Sequence, residues 1–223
     1  RGLLSDAIAR GLDEGGVDAA IEIVDWTSIW GPLYTLRAED RNRDRAEDIA
    51  QRILGYRWEH PGRPVVLVGH SGGGGLAVWV AERLPVGAAV DGLVLISPSL
   101  SPGYMLEYAL GKTERGIVSF HSRRDVFFLG MGTQVSGTLD GEHAASAGMV
   151  GFRVPEDPPP GYEKLYQVPW TEEMAATGHV GGHLSSAATG FVKACVAPLI
   201  AADAWDAETV YQLTRPTPNE PPQ

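Results

Sequence analysis

Apolar positions along the chain fall into two patterns, and each predicts a different kind of element. Leu4, Ile8, Gly11 and Leu12 recur at helical spacing, and Gly15-Gly16 closes the stretch, which predicts a helix over residues 3–14. A stronger helix starts at Asn42, with Ala46, Ile49, Ala50, Ile53 and Leu54 as one apolar stripe. Its other face carries Arg43, Asp44, Arg45, Glu47, Asp48 and Arg52, as expected of a solvated face. Ala77, Val80, Ala81 and Leu84 predict a third helix ended by Pro85, and Ala188, Phe191, Val192 and Cys195 a last one over Ser185 to Val196.

The second pattern is the short continuous apolar run. Val65-Val66-Leu67-Val68, Leu93 to Ile96 and Ile117 to Phe120 read as strands buried on both faces. Lys164 to Val168 is a weaker strand, and Ala19 to Val24 a further strand candidate. Trp26 to Arg37 has no period and contains Gly31-Pro32, so it reads as a loop. Arg215 to Gln223, with four prolines in nine residues, reads as a disordered tail. Strands alternating with helices predict the α/β class, a mostly parallel sheet with helices on both faces. Residues 1–214 are expected to form one domain.

Composition narrows the functions available. A chain of 223 residues with a net charge of −10 lacks the basic footprint of a nucleic-acid binder and does not suit an anionic membrane surface. No apolar run reaches the roughly 18 residues a membrane span needs. A single cysteine excludes an internal disulfide.

Parallel sheets put their chemistry at the carboxyl ends of their strands, and the residues there are informative. Gly69-His70-Ser71-Gly72-Gly73 follows the 65–68 strand and precedes a helix, a G-x-S-x-G in the context of a nucleophile elbow. Small residues at 69 and 73 suit a tight strained turn, and the following helix aims its N-terminus and the Gly72 N–H at the place where an oxyanion would develop. A glycine-rich phosphate loop is the competing reading. A serine nucleophile needs a base, and the base an orienting acid. Asp125, just past the 117–120 strand, is the preferred acid over Asp140 and Glu142. Its plainer reading is a turn aspartate paired with Arg123 or Arg124.

His179 and His183 compete for the base. His183 is favoured because it sits on a glycine-softened loop directly before the last helix. Their H-x-x-x-H spacing does not argue for metal, since Gly181 and Gly182 oppose a helix and no H-E-x-x-H glutamate is present. His70 reads as a packing neighbour, and His60, His121 and His143 as structural or surface histidines.

On these motifs the chain resembles the α/β-hydrolase superfamily, from about residue 17 to 200. Ser71, Asp125 and His183 occur in that family's Ser…Asp…His order, and the elbow resembles its esterase and lipase-like members. The resemblance implies hydrolysis of a small-molecule carboxylic ester or thioester with no cofactor and no metal. Ser71 would act as nucleophile, His183 as base and Asp125 as its orienting acid. It implies a cap over residues 98–112, where Tyr104, Met105, Leu106 and Tyr108 would line an acyl pocket or simply pack the core. The same two readings hold for Phe127, Phe128 and Trp170. Against the family pattern, the strand carrying a second oxyanion donor finds no counterpart ahead of the 3–14 helix. The expectation is therefore an N-terminally incomplete sheet, with the alternative function of a weakly catalytic or non-catalytic binding protein.

Overall fold

The computed structural model describes residues 2–25, 39–125, 138–140 and 145–216. Four parallel strands form its sheet: β1 (Val66–His70), β2 (Gly92–Ile96), β3 (Ile117–His121) and β4 (Leu165–Pro169), in the order β1-β2-β3-β4. Register runs Val66 against Gly92, Leu93 against Ile117 and Ile117 against Leu165. All four agree with the apolar runs predicted as strands, and the α/β class is as expected.

Alternation along the strands builds a core on each face. Leu93 and Leu95 of β2 pack with α2 (Glu39–Glu59) and α3 (Gly72–Arg83). Val94 and Ile96 turn the other way, toward α1 (Leu3–Glu14) and the C-terminal helices. Burying both faces explains why the central strands read as unbroken hydrophobic runs. α2 presents the predicted Ala46, Ile49, Ala50 and Ile53 inward. It begins three residues before Asn42, with Glu39 bonding Arg43 at 2.9 Å in its first turn. α3 is buried almost all round between the sheet and α2, so its glycines are a packing requirement as well as a turn requirement.

α1 crosses the C-terminal helices at close range. A Cβ at Gly11 would lie 2.6 Å from the Val192 Cβ and 2.7 Å from the Thr189 carbonyl oxygen. The last helix is segmented and longer than predicted: Thr189–Phe191, a π-helical turn at Val192–Val196, then Ala197–Ala201. Pro198 accounts for the π turn, because it has no N–H and its ring crowds the carbonyl four residues earlier. Among the described residues no helix is long and apolar enough to cross a membrane.

One predicted strand is corrected. Ala19–Val24 forms no ladder. This segment is anchored to α2 by side chains, through a Glu22–Arg52 ion pair and an Arg45 bond to the Asp25 carbonyl at 3.3 Å. Only Val24 packs against the core on that side, and Ile21 is exposed. An apolar run supplies a strand's side chains but not its partner. Among the described residues β1 consequently pairs with β2 alone and stands at the sheet edge. The Trp26–Arg37 loop and most of the proline-rich tail lie outside the described residues.

Candidate active site

The turn after β1 holds Ser71 at φ 57°, ψ −126°, a backbone conformation that costs a residue with a Cβ. Three backbone bonds impose it. The Ser71 N–H donates to the Ile96 carbonyl at 2.9 Å, and its own carbonyl accepts from Gly74 at 2.9 Å and Ser99 at 3.0 Å. Gly69 makes the turn possible: a Cβ there would strike the Gly73 carbonyl oxygen and lie 2.6 Å from its carbon and 2.7 Å from the Gly74 Cα. The side chain of Ser71 therefore stands at the mouth of α3, whose first N–H groups, Gly72 included, have no intrahelical partner.

Asp125 is set by a second turn, four residues beyond β3. Its N–H donates to the Ser122 carbonyl at 2.8 Å, and the Arg124 N–H to the Ser122 hydroxyl at 3.2 Å. Neither arginine neighbour supplies the ion pair of the plainer reading. Arg124 reaches outward to Glu172 at 3.4 Å and stacks over Trp170, 4.4 Å from the ring centre, and the partner of the Asp125 carboxylate is the His183 ring.

His183 arrives on a loop that needs its glycines. Gly178 and Gly181 both have positive φ, and a Cβ at Gly181 would press on Arg124 and the Ser122 hydroxyl. The loop is thereby seated on the turn that carries Asp125. Trp170 braces it by donating its indole N–H to the His179 carbonyl at 2.6 Å, and the Ser185 hydroxyl closes it on the Gly182 carbonyl at 2.8 Å.

These three turns bring the predicted residues together. His183 Nδ1 lies 2.8 Å from Asp125 Oδ1, and Nε2 lies 2.9 Å from Ser71 Oγ. The side chains of His183 and Asp125 are 8% and 3% exposed, so their contact is shielded from water. Asp125 Oδ2 is buried and meets no donor among the described residues. His179 goes elsewhere, its Nδ1 near the Ser185 hydroxyl at 3.3 Å and its ring edge-on to Phe191. Burial lowers it from the ordinary 6.5 to about 4. The two histidines of the H-x-x-x-H thus face different partners.

The chain matches no known protein family, no curated protein and no solved structure. The chemistry of the site therefore rests on its own geometry.

The residues expected at a pocket are scattered. Tyr104 is engaged away from the serine: its hydroxyl accepts from the Trp79 indole at 2.9 Å and donates to Glu82 at 3.0 Å. Those partners lie eight and eleven residues along α3 from Ser71, roughly 12–16 Å at the helical rise. Burial, with Glu82 second, raises the Tyr104 phenol well above its ordinary value. Leu106 is wholly buried, while Met105 and Tyr108 are exposed. Residues 98–112 hold only the short helix Glu107–Leu110, whose Ala109 and Leu110 belong to the core beside α3. Phe127, Phe128, Glu142 and His143 lie outside the described residues. Asp140 accepts from the Ser101 N–H at 3.0 Å and so braces a loop. A cleft of about 580 Å³ opens instead between Pro102-Gly103 and Val150–Arg153.

Four polar residues at the site went unrecognised in the sequence. His70 is more than a packing neighbour: its Nε2 lies 3.1 Å from the His183 carbonyl oxygen and its ring 4.9 Å from the His183 ring. Ser186 donates to the same carbonyl at 2.7 Å, and Ser97 donates to Ser186 at 3.1 Å. The Ser99 hydroxyl stands 3.2 Å from Ser71 Oγ. Ser97 directly follows the buried strand β2 and Ser99 lies three residues past its end, the one signal that could have found them. Burial, then the neighbouring His183, lowers His70 to about 4, so it is a neutral donor at neutral pH.

Proposed function

We propose that this chain is a serine hydrolase of the α/β-hydrolase superfamily that cleaves carboxylic esters or thioesters through an acyl-enzyme. The observation that carries the reading is the unbroken chain Ser71 Oγ, His183 Nε2, His183 Nδ1, Asp125 Oδ1, with links of 2.9 and 2.8 Å. The strained serine at the head of α3 supports it. So do the apolar Val180 and Leu184, each 61% exposed on the loop carrying His183, which offer an apolar rim to an acyl or alkyl group.

In this mechanism Asp125 accepts from His183 Nδ1–H, leaving Nε2 as the acceptor for the Ser71 proton. Ser71 Oγ adds to the acyl carbon as its proton passes to Nε2, and the carbonyl electron pair moves onto oxygen. That oxyanion faces the N–H groups at the start of α3, Gly72 first. Collapse re-forms the carbonyl and breaks the bond to the leaving alcohol or thiol, which takes the proton from His183. Water, deprotonated by His183, repeats the sequence on the acyl-enzyme and releases the acid and Ser71.

Labelling with a fluorophosphonate probe tests the reading. The folded protein should be labelled at Ser71 and hydrolyse p-nitrophenyl esters, and Ser71→Ala should do neither. A folded wild-type protein that is neither labelled nor active overturns it.

A further inference from the structure

We propose that Ser99 is a further catalytic residue, a side-chain hydrogen-bond donor to the negative charge that develops when Ser71 attacks its substrate. The inference rests on the serine-hydrolase reading and adds to it a residue outside the nucleophile, base and acid.

Proton accounting gives the direction of the Ser71–Ser99 contact. The Asp125 carboxylate accepts, so His183 Nδ1 carries the hydrogen at 2.8 Å and the neutral ring leaves Nε2 as an acceptor. Ser71 must donate its single proton to that nitrogen at 2.9 Å. With that proton committed, the 3.2 Å contact between the two hydroxyls is made by the hydrogen of Ser99, aimed at the nucleophilic oxygen.

Ser99 is also held in place before any substrate arrives. Its N–H donates to the Ser71 carbonyl at 3.0 Å, and its own carbonyl accepts from Leu139 at 2.7 Å. The preceding Pro98 lies against the first turn of α3, where a Cβ at Gly74 would be 3.0 Å from the Pro98 Cβ. The residue is only partly buried. Rotation of the hydroxyl alone redirects the hydrogen.

The step uses that freedom. As Ser71 Oγ bonds to the acyl carbon and its proton moves to His183 Nε2, Oγ loses electron density. The charge appears on the substrate oxygen attached to the same carbon. The Ser99 hydrogen swings from Oγ to that oxyanion, joining the backbone N–H groups of α3. It swings back when the leaving group departs, with no net proton transfer to or from Ser99.

The test compares wild type, Ser99→Ala, Ser99→Cys and Ser99→Thr in two assays: the rate of Ser71 labelling by a fluorophosphonate, and turnover of p-nitrophenyl butyrate. Ser99→Ala should lower both the labelling rate and kcat about 10²-fold, the scale for one oxyanion donor, with KM little changed. Ser99→Cys, which keeps the shape with a weak donor, should follow it, and Ser99→Thr should recover most of the rate. The acid limb of the pH profile should not move, because His183 and Asp125 keep their contact. Alanine and cysteine variants that label and turn over within about twofold of wild type overturn the role of Ser99 alone. A loss that threonine does not rescue overturns it too. A wild-type protein that is not labelled at Ser71 overturns the hydrolase reading, and the role of Ser99 with it.

Discussion

The imidazole of His70 meets the backbone carbonyl of His183 at 3.1 Å, so the residue just before the candidate nucleophile supports the residue expected to deprotonate it. The carbonyl accepts a second bond from Ser186, itself held by Ser97. Elbow, β2 end and histidine loop are thereby joined through one backbone oxygen. A rigid support of this kind keeps His183 Nε2 at bonding distance from Ser71.

Loss of the His70 donor should loosen that loop. The carbonyl retains its bond from Ser186, so His70→Ala should lower unfolding free energy by about 1–3 kcal/mol, from the lost bond and the cavity together. In an ester assay kcat should fall more than KM rises. His70→Gln, which can still offer an N–H, should recover part of both. Urea unfolding midpoints and steady-state kinetics measure the two effects.

Strain at Ser71 predicts a divergence between stability and activity. At φ 57° and ψ −126° any Cβ is unfavourable, and alanine keeps it while glycine does not. Ser71→Gly should therefore be more stable than Ser71→Ala by about 1 kcal/mol, although glycine also adds freedom to the unfolded chain. Both should be inactive. Equal urea midpoints for the two variants would mean that the strain relieved at this residue is no larger than the freedom glycine adds to the unfolded chain.

Gly69 carries the opposite expectation. A methyl group there runs into the backbone of Gly73 and Gly74, and no rotamer change relieves a backbone contact. Gly69→Ala should cost about 3 kcal/mol or more and displace Ser71. Thermal melting and loss of probe labelling should appear together. Gly62→Ala is a control of a different kind: the site is open, and only its positive φ opposes the substitution.

How far the sequence reached follows from what each feature depends on. β2 and β3 were legible because burial on both faces writes itself as a continuous apolar run. β1, expected to be buried in the same way, is only half-buried at the sheet edge, and was legible because Val66, Leu67 and Val68 still pack on both cores. The turn at Ser71 was legible because a sharp strand-to-helix turn constrains its neighbours in sequence, as the crowding at Gly69 shows. Ala19–Val24 misled because a strand is defined by a neighbour, and the side chains that hold this segment, Glu22 on Arg52, make no ladder. The placement of His183 rather than His179 beside Ser71 rests on the seating of Gly181 against the Ser122–Arg124 turn, a contact between distant parts of the chain. Ser97, Ser99 and Ser186 stayed hidden because isolated hydroxyls carry no spacing rule. Tyr104 was left between a pocket and the core because its partners, Trp79 and Glu82, declare themselves only once α3 is folded.

His70 and His179, both desolvated, predict how stability depends on pH. Burial lowers both His70 and His179 from 6.5 to about 4 in the folded state. Above about pH 6.5 neither state binds these protons. Between about 6.5 and 4 the unfolded chain binds them and the folded chain does not, so stability falls as pH falls through this window. Below about 4 both states are protonated, and the two residues add no further slope. Urea unfolding at pH 7, 6 and 5 should show the decline, and His179→Gln should reduce its slope by up to one proton. An unchanged slope in that variant would mean that His179 takes up its proton in the folded protein as readily as in the unfolded one.

Asp125 allows the chemistry to be separated from the fold. Its Oδ1 accepts from His183 Nδ1 at 2.8 Å, while Oδ2 is buried without a donor among the described residues. An amide at this position can turn its NH2 toward Nδ1, which forces the hydrogen onto Nε2 and removes the acceptor for the Ser71 proton. Asp125→Asn should therefore lower kcat about 10³–10⁴-fold while leaving the serine and the loop in place. The stability change should be small, within about 1 kcal/mol, because loss of a charge-assisted bond is offset by removal of a buried charge. Kinetics and urea unfolding on the same sample decide it. A large rate loss with an unchanged midpoint assigns Asp125 to tautomer control, whereas a matching loss of stability assigns it to holding the His183 loop together.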